Sequence, residues 1–307
     1  MINRELIRLK IVQLVYAYYQ NVGKSVDVAE KELFFSLSKA YDLYNYLLLL
    51  MVEVTKVAER KVDVQRSKVK RLGGGDLPST KFIDNRFVLQ LETNKQLLAF
   101  REKQKKSWEG EEAFISSLHN RIIESEVFRA YMAKSEDTYT LDREFWRKVY
   151  KTFIFNNEEL DAVLEEMSLY WNDDKEIVDS FVLKTIKRFD ETNGSDQELL
   201  PEFDSEDDRM FASRLFRNAL TNAEVYRDLI KENCKNWEFN RLAFMDVIIM
   251  QVALCEMLSF PGIPLSVTFN EYLDIAKIYS TPHSASYING MLDHIVKRLK
   301  SEKKLIK

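Results

Sequence analysis

Histidine, cysteine and carboxylate side chains are the first places to look for chemistry in this chain. It holds three histidines (His119, His283 and His294) and two cysteines (Cys234 and Cys255). None of the histidines lies in an HExxH motif, a Cys/His cluster with metal-ligand spacing or a recognisable triad. The cysteines fit helical patterns and are expected to be reduced, buried thiols. The sequence therefore predicts no enzymatic activity, no metal site and no cofactor.

Basic and aromatic side chains occur together at two places. The first group lies near the start of the chain and consists of Arg4, Arg8, Lys10, Tyr16 and Tyr19. The second joins Tyr287 to the basic C-terminal tail, which ends at Lys307. Arginine binds phosphate and an exposed tyrosine stacks on an unpaired base, so the combination is typical of single-stranded RNA recognition. An ordinary solvated, charged surface is the alternative interpretation of the same residues.

Charge is distributed unevenly along the chain. The formal net charge is −4, but residues 151–208 contain 18 acidic and 5 basic side chains. This stretch therefore carries −13 and the rest of the chain +9. A positively charged remainder of that size is compatible with a polyanionic partner.

The composition favours an all-α fold, because the chain has only 8 glycines and 5 prolines. A first helix is predicted over 2–21, with Arg4 and Arg8 on its apolar stripe. Because a helix that is packed along its whole length would not place two arginines on that stripe, its first two turns are expected to extend beyond the core. A long helix is predicted over about 28–66, and loops at 72–80 and 190–208. The glycine-rich loop at 72–80 lacks the spacing of a phosphate-binding loop. Further helical patterns occur at about 81–105, 109–134, 141–155, 157–171 and 174–189.

The segment 243–260 is apolar nearly all round, which predicts the central helix of a bundle. Its charged residues are Asp246 and Glu256, and each carboxylate is expected to have a partner or an open face. Thr268 and Glu271 have the spacing of a capping box for the next helix. The longest apolar run, at 46–52, is too short to span a membrane. With a charged N-terminus that does not resemble a signal peptide, this predicts a cytoplasmic protein.

The last helical pattern contains Asn289-Gly290, a dipeptide that is typical of tight turns. The apolar stripe of this segment (Ile288, Met291, Leu292, Ile295 and Leu299) runs through the dipeptide and predicts a continuous helix, with an N-cap at Thr281. Gly290 then lies on the outer face, beside Tyr287, His283 and His294. Either a ligand approaches this face closely or the glycine is merely tolerated there.

The stretch from Asn236 to Leu299 resembles the C-terminal half of the bacterial transcription antitermination factor NusB. The resemblance rests on Asn236-Trp237, Arg241-Leu242 with Asp246, and the segments "ALCEML", "NEYLDIAK" and "YINGMLD". The first helix also matches the family's opening helix, with Arg4, Arg8, Gln13 and Tyr16 in register. The resemblance implies a NusB-like helical bundle that binds boxA-type RNA of nascent ribosomal RNA together with NusE, a small-subunit ribosomal protein. In this family, that complex acts on RNA polymerase elongation complexes.

The resemblance also implies roles for individual residues. Arg4 and Arg8 fall on RNA-binding arginines, Tyr287 on an aromatic position at the RNA surface, and Asp246 on an acidic position that holds NusE. His283 stands where well-known members have Asp, and Glu5 and Leu6 interrupt the arginine cluster.

Family members are much shorter than this chain, which predicts a NusB-like RNA-binding domain formed by 1–24 and 205–307. Residues 25–204 are then an inserted helical region. One alternative is a helical protein-interaction module without sequence-specific RNA binding. The other is the RNA-binding part of a ribosomal RNA cytosine methyltransferase. The latter requires an α/β cofactor domain with a glycine-rich turn and a catalytic cysteine, and residues 25–204 contain neither.

Overall fold

The chain is all-α, as the sequence predicts. The computed structural model describes residues 1–21, 23–104, 107–171, 173–234 and 239–305. Within these ranges no β-strand forms, and one isolated parallel bridge joins Ile2 to Phe203. The α-helices are α1 (Arg4–Gln20), α2 (Val26–Leu72), α3 (Arg86–Glu92), α4 (Lys95–Lys103), α5 (Glu112–Ile123), α6 (Glu126–Met132), α7 (Tyr139–Val149), α8 (Glu158–Met167), α9 (Lys175–Arg188), α10 (Glu206–Thr221), α11 (Ala223–Asn233), α12 (Phe244–Ser259), α13 (Leu265–Tyr279) and α14 (Ser284–Ser301).

The described helices form two compact units. The middle unit comprises Met1 and Lys39–Glu202, and the terminal unit comprises Ile2–Ser38 and Phe203–Lys307. Helix α2 contributes its first turns to the terminal unit and its longer remainder to the middle unit. The division into 1–24 with 205–307 and an insertion at 25–204 stays a prediction. No helix in the described ranges is long and apolar enough to cross a bilayer.

Helix α12 is the central element of the terminal unit. It packs against α1, α10, α11, α13 and α14, and its residues from Asp246 to Met257 are all buried. A helix without a polar face can bury every side only when neighbours surround it. The predicted central helix is thus confirmed, with both of its carboxylates inside the unit.

Buried side chains of α2 form much of the core of the middle unit. Fully buried examples on this helix are Leu43, Tyr44, Leu47, Leu50, Met51 and Val54. Around this core, α7 packs against α3, α6 and α9. Two of the long helical segments predicted here are each divided, because Asn94 and Ser125 begin new helices. Their side chains accept hydrogen bonds from the amides of Leu97 and Phe128.

Helix α2 ends at the predicted glycine-rich break, six residues later than the sequence pattern indicates. Its last residue is Leu72, and Gly73 follows with a φ of 68°. That left-handed conformation is the usual way to terminate a helix, and glycine adopts it without strain. Most side chains of the last three turns of α2 are exposed.

The expectation that the first two turns of α1 extend beyond the core is wrong. Leu6, Ile7, Leu9 and Ile11 are at most 3% exposed, and so is Arg8. Arg8 fits on this packed face because the buried Glu256 carboxylate and the half-buried Glu271 carboxylate neutralise its charge. The apolar stripe and Arg8 therefore belong to one interior surface, whereas Arg4 stays exposed.

Two details near the C-terminus also differ from the sequence pattern. Helix α13 begins at Leu265 after Pro264, so Thr268 and Glu271 lie inside it and do not form a capping box. Helix α14 begins at Ser284, three residues after the predicted N-cap Thr281. It continues through Asn289-Gly290 without interruption, which confirms the helix predicted there.

Candidate nucleic-acid interface

Arg4 is the predicted contact residue that α1 presents to solvent. Its side chain is 43% exposed, and its Nε donates to Asp208 Oδ1 on α10 at 2.8 Å. Its guanidinium also lies 4.9 Å from the ring centre of Phe211. The start of α1 is fixed by Asn3, whose side chain accepts from the amide of Leu6. Arg4 is thus held at the helix N-terminus by an exposed ion pair.

Arg8 lies one turn further along α1 and is buried in a polar network. Its Nε and Nη2 donate to Glu256 Oε2 and Oε1 at 2.8 and 3.1 Å. Its Nη1 lies 3.3 Å from Glu271 Oε2. Glu256 also accepts from the hydroxyls of Thr268, at 2.8 Å, and Tyr272, at 3.1 Å. The expected partner of the Glu256 carboxylate is thus found, and we name these five residues the Arg8 network.

The charges in the Arg8 network stabilise one another. Burial alone would lower the pKa of the Arg8 guanidinium, but hydrogen bonding and attraction to Glu256 outweigh it, so the pKa is raised. Burial raises the pKa of Tyr272 well above its usual range, and the neighbouring Glu256 charge adds to that rise. Burial also raises the pKa of Glu271, while Arg8 opposes this. Arg8 therefore stays charged and Tyr272 stays a neutral hydrogen-bond donor at neutral pH.

The other predicted residues of α1 are also mostly enclosed. Lys10 is 3% exposed. Tyr16 is half-buried, with its ring centre 5.6 Å from that of Phe244. The hydroxyl of Tyr19 accepts from Gln251 Nε2 at 3.1 Å. Among the cations predicted on α1, Arg4 is therefore the exposed one.

Sequence reasoning missed an aromatic and cationic pocket beside these tyrosines. The guanidinium of Arg227 stacks 4.1 Å above the Tyr19 ring, and Nε donates to Gln251 Oε1 at 2.8 Å. A cavity of about 300 Å³ is lined by Arg227, Lys231, Phe239, Asn240, Leu242, Phe244 and Val247. Its residues come from α11, α12 and the connection between them, so no local spacing pattern signals it.

Asp246 joins the start of α12 to the start of α14. It is 5% exposed and accepts a 2.8 Å hydrogen bond from Ser284 Oγ. A second, short hydrogen bond comes from Ser280 Oγ. The expectation that this carboxylate has a partner is confirmed, and the partners are two hydroxyls of the same unit.

The outer face of α14 is open. Tyr287 is half-buried, and its hydroxyl lies 3.7 Å from Cys234 Sγ. His283, Gly290 and His294 are exposed. A Cβ placed on Gly290 would meet no described atom within 4 Å. No described part of the chain accounts for the glycine at this position.

Parts of the predicted site lie outside the residues that the structure describes. Asn236-Trp237, which belongs to the resemblance, and Lys307 of the basic tail lie outside the described residues. Within the tail, Arg298 forms ion pairs with Glu232 and Glu302.

Both cysteines are free and buried, as expected. Across the described ranges, no group of His, Cys, Asp and Glu is arranged to hold a metal ion.

Comparison with known proteins identifies the family. The model of the NusB family matches residues 180–297. The transcription antitermination protein NusB of Salinibacter ruber is 33% identical over 132 residues, which cover 41% of this chain and 82% of the relative. The chain belongs to the NusB family. NusB of Koribacter versatilis is 37% identical over 99 residues, covering 32% of this chain and 68% of the relative. A solved NusB structure from T. maritima covers 40% of this chain and 87% of its own, with 31% identity and a TM-score of 0.31.

The chain is thus a long NusB family member in which additional helices accompany the NusB-like bundle. The family match covers α10 to α13 and most of α14, and it begins within α9. Helices α3 to α8 lie outside it.

Proposed function

We propose that this chain is an RNA-binding, non-enzymatic transcription antitermination factor of the NusB type. In this proposal it binds boxA-type RNA of nascent ribosomal RNA transcripts together with NusE and acts on RNA polymerase elongation complexes. The observation that carries the proposal is the 33% identity, over 82% of its length, to a relative named as a transcription antitermination protein. The network around Arg8 supports it, because it explains how the terminal unit keeps an arginine-bearing first helix in place.

In the proposed complex, Arg4, Tyr16 and Tyr287 contact RNA. Arg4 is exposed, and its ion pair with Asp208 is of the surface type that contributes about 0.2–1 kcal/mol. A phosphate can therefore replace Asp208 at little cost. Tyr287 and Gly290 lie one turn apart on the open face of α14, where a base has room to stack.

In this proposal, Arg8 is a positioning residue for Arg4. A phosphate that bound its guanidinium would have to displace Glu256, and a buried carboxylate without its partner is costly. We infer that Arg8 keeps the start of α1, and thereby Arg4, at a fixed position. Direct RNA contacts of Arg8 and Lys10 stay predictions, as does the NusE contact of Asp246.

The RNA site is tested with two substitutions of matched kind. Arg4→Ala removes an exposed cation paired with Asp208, and Lys277→Ala removes an exposed cation whose Nζ lies 2.6 Å from Asp274. We expect Arg4→Ala to weaken boxA RNA binding by about tenfold, which corresponds to about 1.4 kcal/mol, and Lys277→Ala to leave it nearly unchanged. Fluorescence anisotropy titrations measure both. Equal affinities of the two variants would remove Arg4 from the site.

The face of α14 is tested at Gly290. Gly290 is exposed and a Cβ there would meet no described atom within 4 Å, so Gly290→Leu is expected to fold normally. If RNA approaches this face closely, the variant binds boxA RNA more weakly than the wild type. Unchanged RNA affinity in a folded variant would show that the glycine is merely tolerated.

A protein-interaction module without sequence-specific RNA binding is the second candidate function. The burial of Arg8 and Lys10 favours it, because fewer cations on α1 are available to phosphates than the sequence pattern indicates. Pull-down of NusE with and without RNA separates the two functions. Capture of NusE combined with equal affinity for boxA and scrambled RNA would favour the module.

A further inference from the structure

The last turns of α2, in the middle unit, carry a dense group of cations. They are Arg66, Lys68, Lys70 and Arg71, which we name the α2 basic arm. No acidic residue occurs in the sequence between Asp63 and Asp76. Lys68, Lys70 and Arg71 are exposed, and Arg66 is half-buried. The arm lies outside residues 180–297, the part of the chain that the NusB family model matches.

The cations of the α2 basic arm have no ion-pair partner among the described residues. The Nε of Arg66 is shielded from solvent and lacks a hydrogen-bond partner there. Two arginines on the surface of the terminal unit behave differently, since Arg217 pairs with Glu30 and Asp27, and Arg298 pairs with Glu232 and Glu302. The positive charge of the arm is therefore not neutralised within the described chain.

Helical geometry distributes these four charges over a broad surface. Arg66 and Lys70 are four residues apart, so they lie on neighbouring turns, about 6 Å apart along the axis. Lys68 and Arg71 are three residues apart and form a second row, which at about 100° per residue lies roughly 150° further round the helix axis. A flexible, single-stranded polyanion that wraps around the end of the helix can contact both rows.

Stabilisation of the helix dipole explains only part of this arrangement. Cations in the last turn of a helix contribute about 0.3–1 kcal/mol each, and the effect falls off beyond that turn. Lys70 and Arg71 lie in the last turn of α2, but Arg66 and Lys68 precede it. A ligand with several negative charges accounts for all four.

The surroundings of the arm favour a nucleic acid over a lipid surface. Helices that bind membranes in the interface plane present aromatic or large apolar residues along one face. Residues 60–72 contain no aromatic side chain, and the exposed apolar residues Val64 and Leu72 do not form a continuous stripe there. The arm thus offers charge without the apolar face that insertion requires.

We propose that the α2 basic arm is a second RNA-binding surface that contacts the sugar–phosphate backbone irrespective of base sequence. This inference rests on the proposed function for the kind of polyanion that the protein meets. The arm adds affinity through phosphate contacts, whereas the terminal unit distinguishes boxA from other sequences. Binding at the arm is electrostatic, so it weakens steeply as salt concentration rises.

The test compares two variants of the full chain that lose the same four charges. The arm variant combines Arg66→Gln, Lys68→Gln, Lys70→Gln and Arg71→Gln. The control combines Lys148→Gln, Lys151→Gln, Lys187→Gln and Arg188→Gln, which are exposed positions elsewhere in the middle unit. Glutamine keeps a helix propensity close to that of lysine and arginine. Circular dichroism checks that both variants are folded.

Affinity for boxA-containing and scrambled single-stranded RNA is then measured across a salt series. Each lost phosphate contact lowers the slope of log affinity against log salt by about 0.7. For four contacts the slope falls by about 3, so the loss of affinity between about 50 and 200 mM salt becomes about 50-fold smaller than for the wild type. We expect this for the arm variant with both RNAs, and an unchanged preference for boxA.

A salt slope of the arm variant equal to that of the control variant overturns the inference. Arm-dependent binding to phosphatidylserine vesicles with an unchanged RNA slope also overturns it and identifies a membrane surface. If the wild type shows no preference for boxA but the arm variant still lowers the slope, the proposed function fails and the backbone contact stands. The two proposals therefore fail through different measurements.

Discussion

Basic side chains occur on α1 and at the end of α2, but the structure uses them in opposite ways. On α1, Arg8 is enclosed and held by Glu256 and Glu271. On the α2 basic arm, Lys68 and Arg71 are exposed and have no ion-pair partner among the described residues. Arginine therefore serves cohesion at Arg8 and is available to a ligand on the α2 basic arm. Packing of distant segments decides which role a cation takes.

The largest expected effect concerns the Arg8 network. Arg8→Met leaves the buried Glu256 carboxylate without its cation, which typically costs about 3–5 kcal/mol of unfolding free energy. Chemical denaturation monitored by circular dichroism measures the loss. The double variant Arg8→Met with Glu256→Met removes both charges and is expected to regain much of the stability. A loss under about 1 kcal/mol in the single variant would contradict the role of Arg8 in cohesion.

A second effect concerns Lys61, an earlier cation of α2 that donates to neutral groups. Its Nζ lies 3.1 Å from His119 Nδ1 and 2.7 Å from Asn120 Oδ1. Burial, and to a smaller extent the charge of Lys61, lowers the pKa of His119 from 6.5 to about 4. The unfolded chain therefore binds more protons between these values, and stability is lost as pH falls from about 6.5 to about 4.

A pKa shift changes the unfolding free energy by about 1.4 kcal/mol per unit. The lowered pKa of His119 therefore predicts a loss of about 3 kcal/mol of unfolding free energy between pH 7 and pH 4. Unfolding free energies of the wild type and of His119→Asn at pH 7 and pH 4 measure it. The difference between the two proteins should shrink or reverse as pH falls. A difference that is independent of pH would show that the pKa of His119 is not lowered in the folded state.

A moderate effect is expected at the junction of α12 and α14. Ser284→Ala removes a hydrogen bond to the buried Asp246 carboxylate, and hydrogen bonds to charged groups contribute about 1.5–3 kcal/mol. Ser301→Ala on the same helix is the control, because its exposed hydroxyl donates only to the carbonyl of Arg298. Equal stability of the two variants would mean that Asp246 does not depend on Ser284.

The smallest effect on stability is expected for the α2 basic arm. Exposed substitutions without specific partners usually change the unfolding free energy by no more than about 0.5 kcal/mol. Loss of Lys70 and Arg71 from the last turn also removes about 0.3–1 kcal/mol each of helix-dipole stabilisation, so the arm variant should unfold only slightly more easily than the wild type while its RNA binding changes. A large loss of stability would show that the arm packs or pairs with the rest of the chain, and it would remove the contrast with α1.

The helices could largely be predicted from sequence, because their signals are local. The apolar surface of α12 and the stripe of α14 require only helical periodicity, and they identified helix through Asn289-Gly290. Partners could not be predicted in the same way. Arg8 and Glu256 are 248 residues apart, so no spacing pattern joins them. Thr268 and Glu271 have capping-box spacing, but in the structure both serve the Arg8 network.

The candidate site could be predicted only in part, because the exposure of its residues depends on packing between segments that are far apart in the sequence. The residue type of Arg4, Arg8 and Lys10 indicates affinity for phosphate, but only packing shows that Arg4 is the exposed one. The pocket beside Arg227 depends on the connection between α11 and α12, which has no motif of its own. The α2 basic arm is visible in the sequence as a run of cations, but only the structure shows that these cations have no ion-pair partner among the described residues.

The most direct test of the central claim is a titration of the wild-type chain with boxA-containing and scrambled RNA, with and without NusE. The account predicts tighter binding of boxA RNA, a further gain when NusE is present, and weaker binding of both RNAs at higher salt. Equal affinity for the two RNAs in the presence of NusE would contradict it.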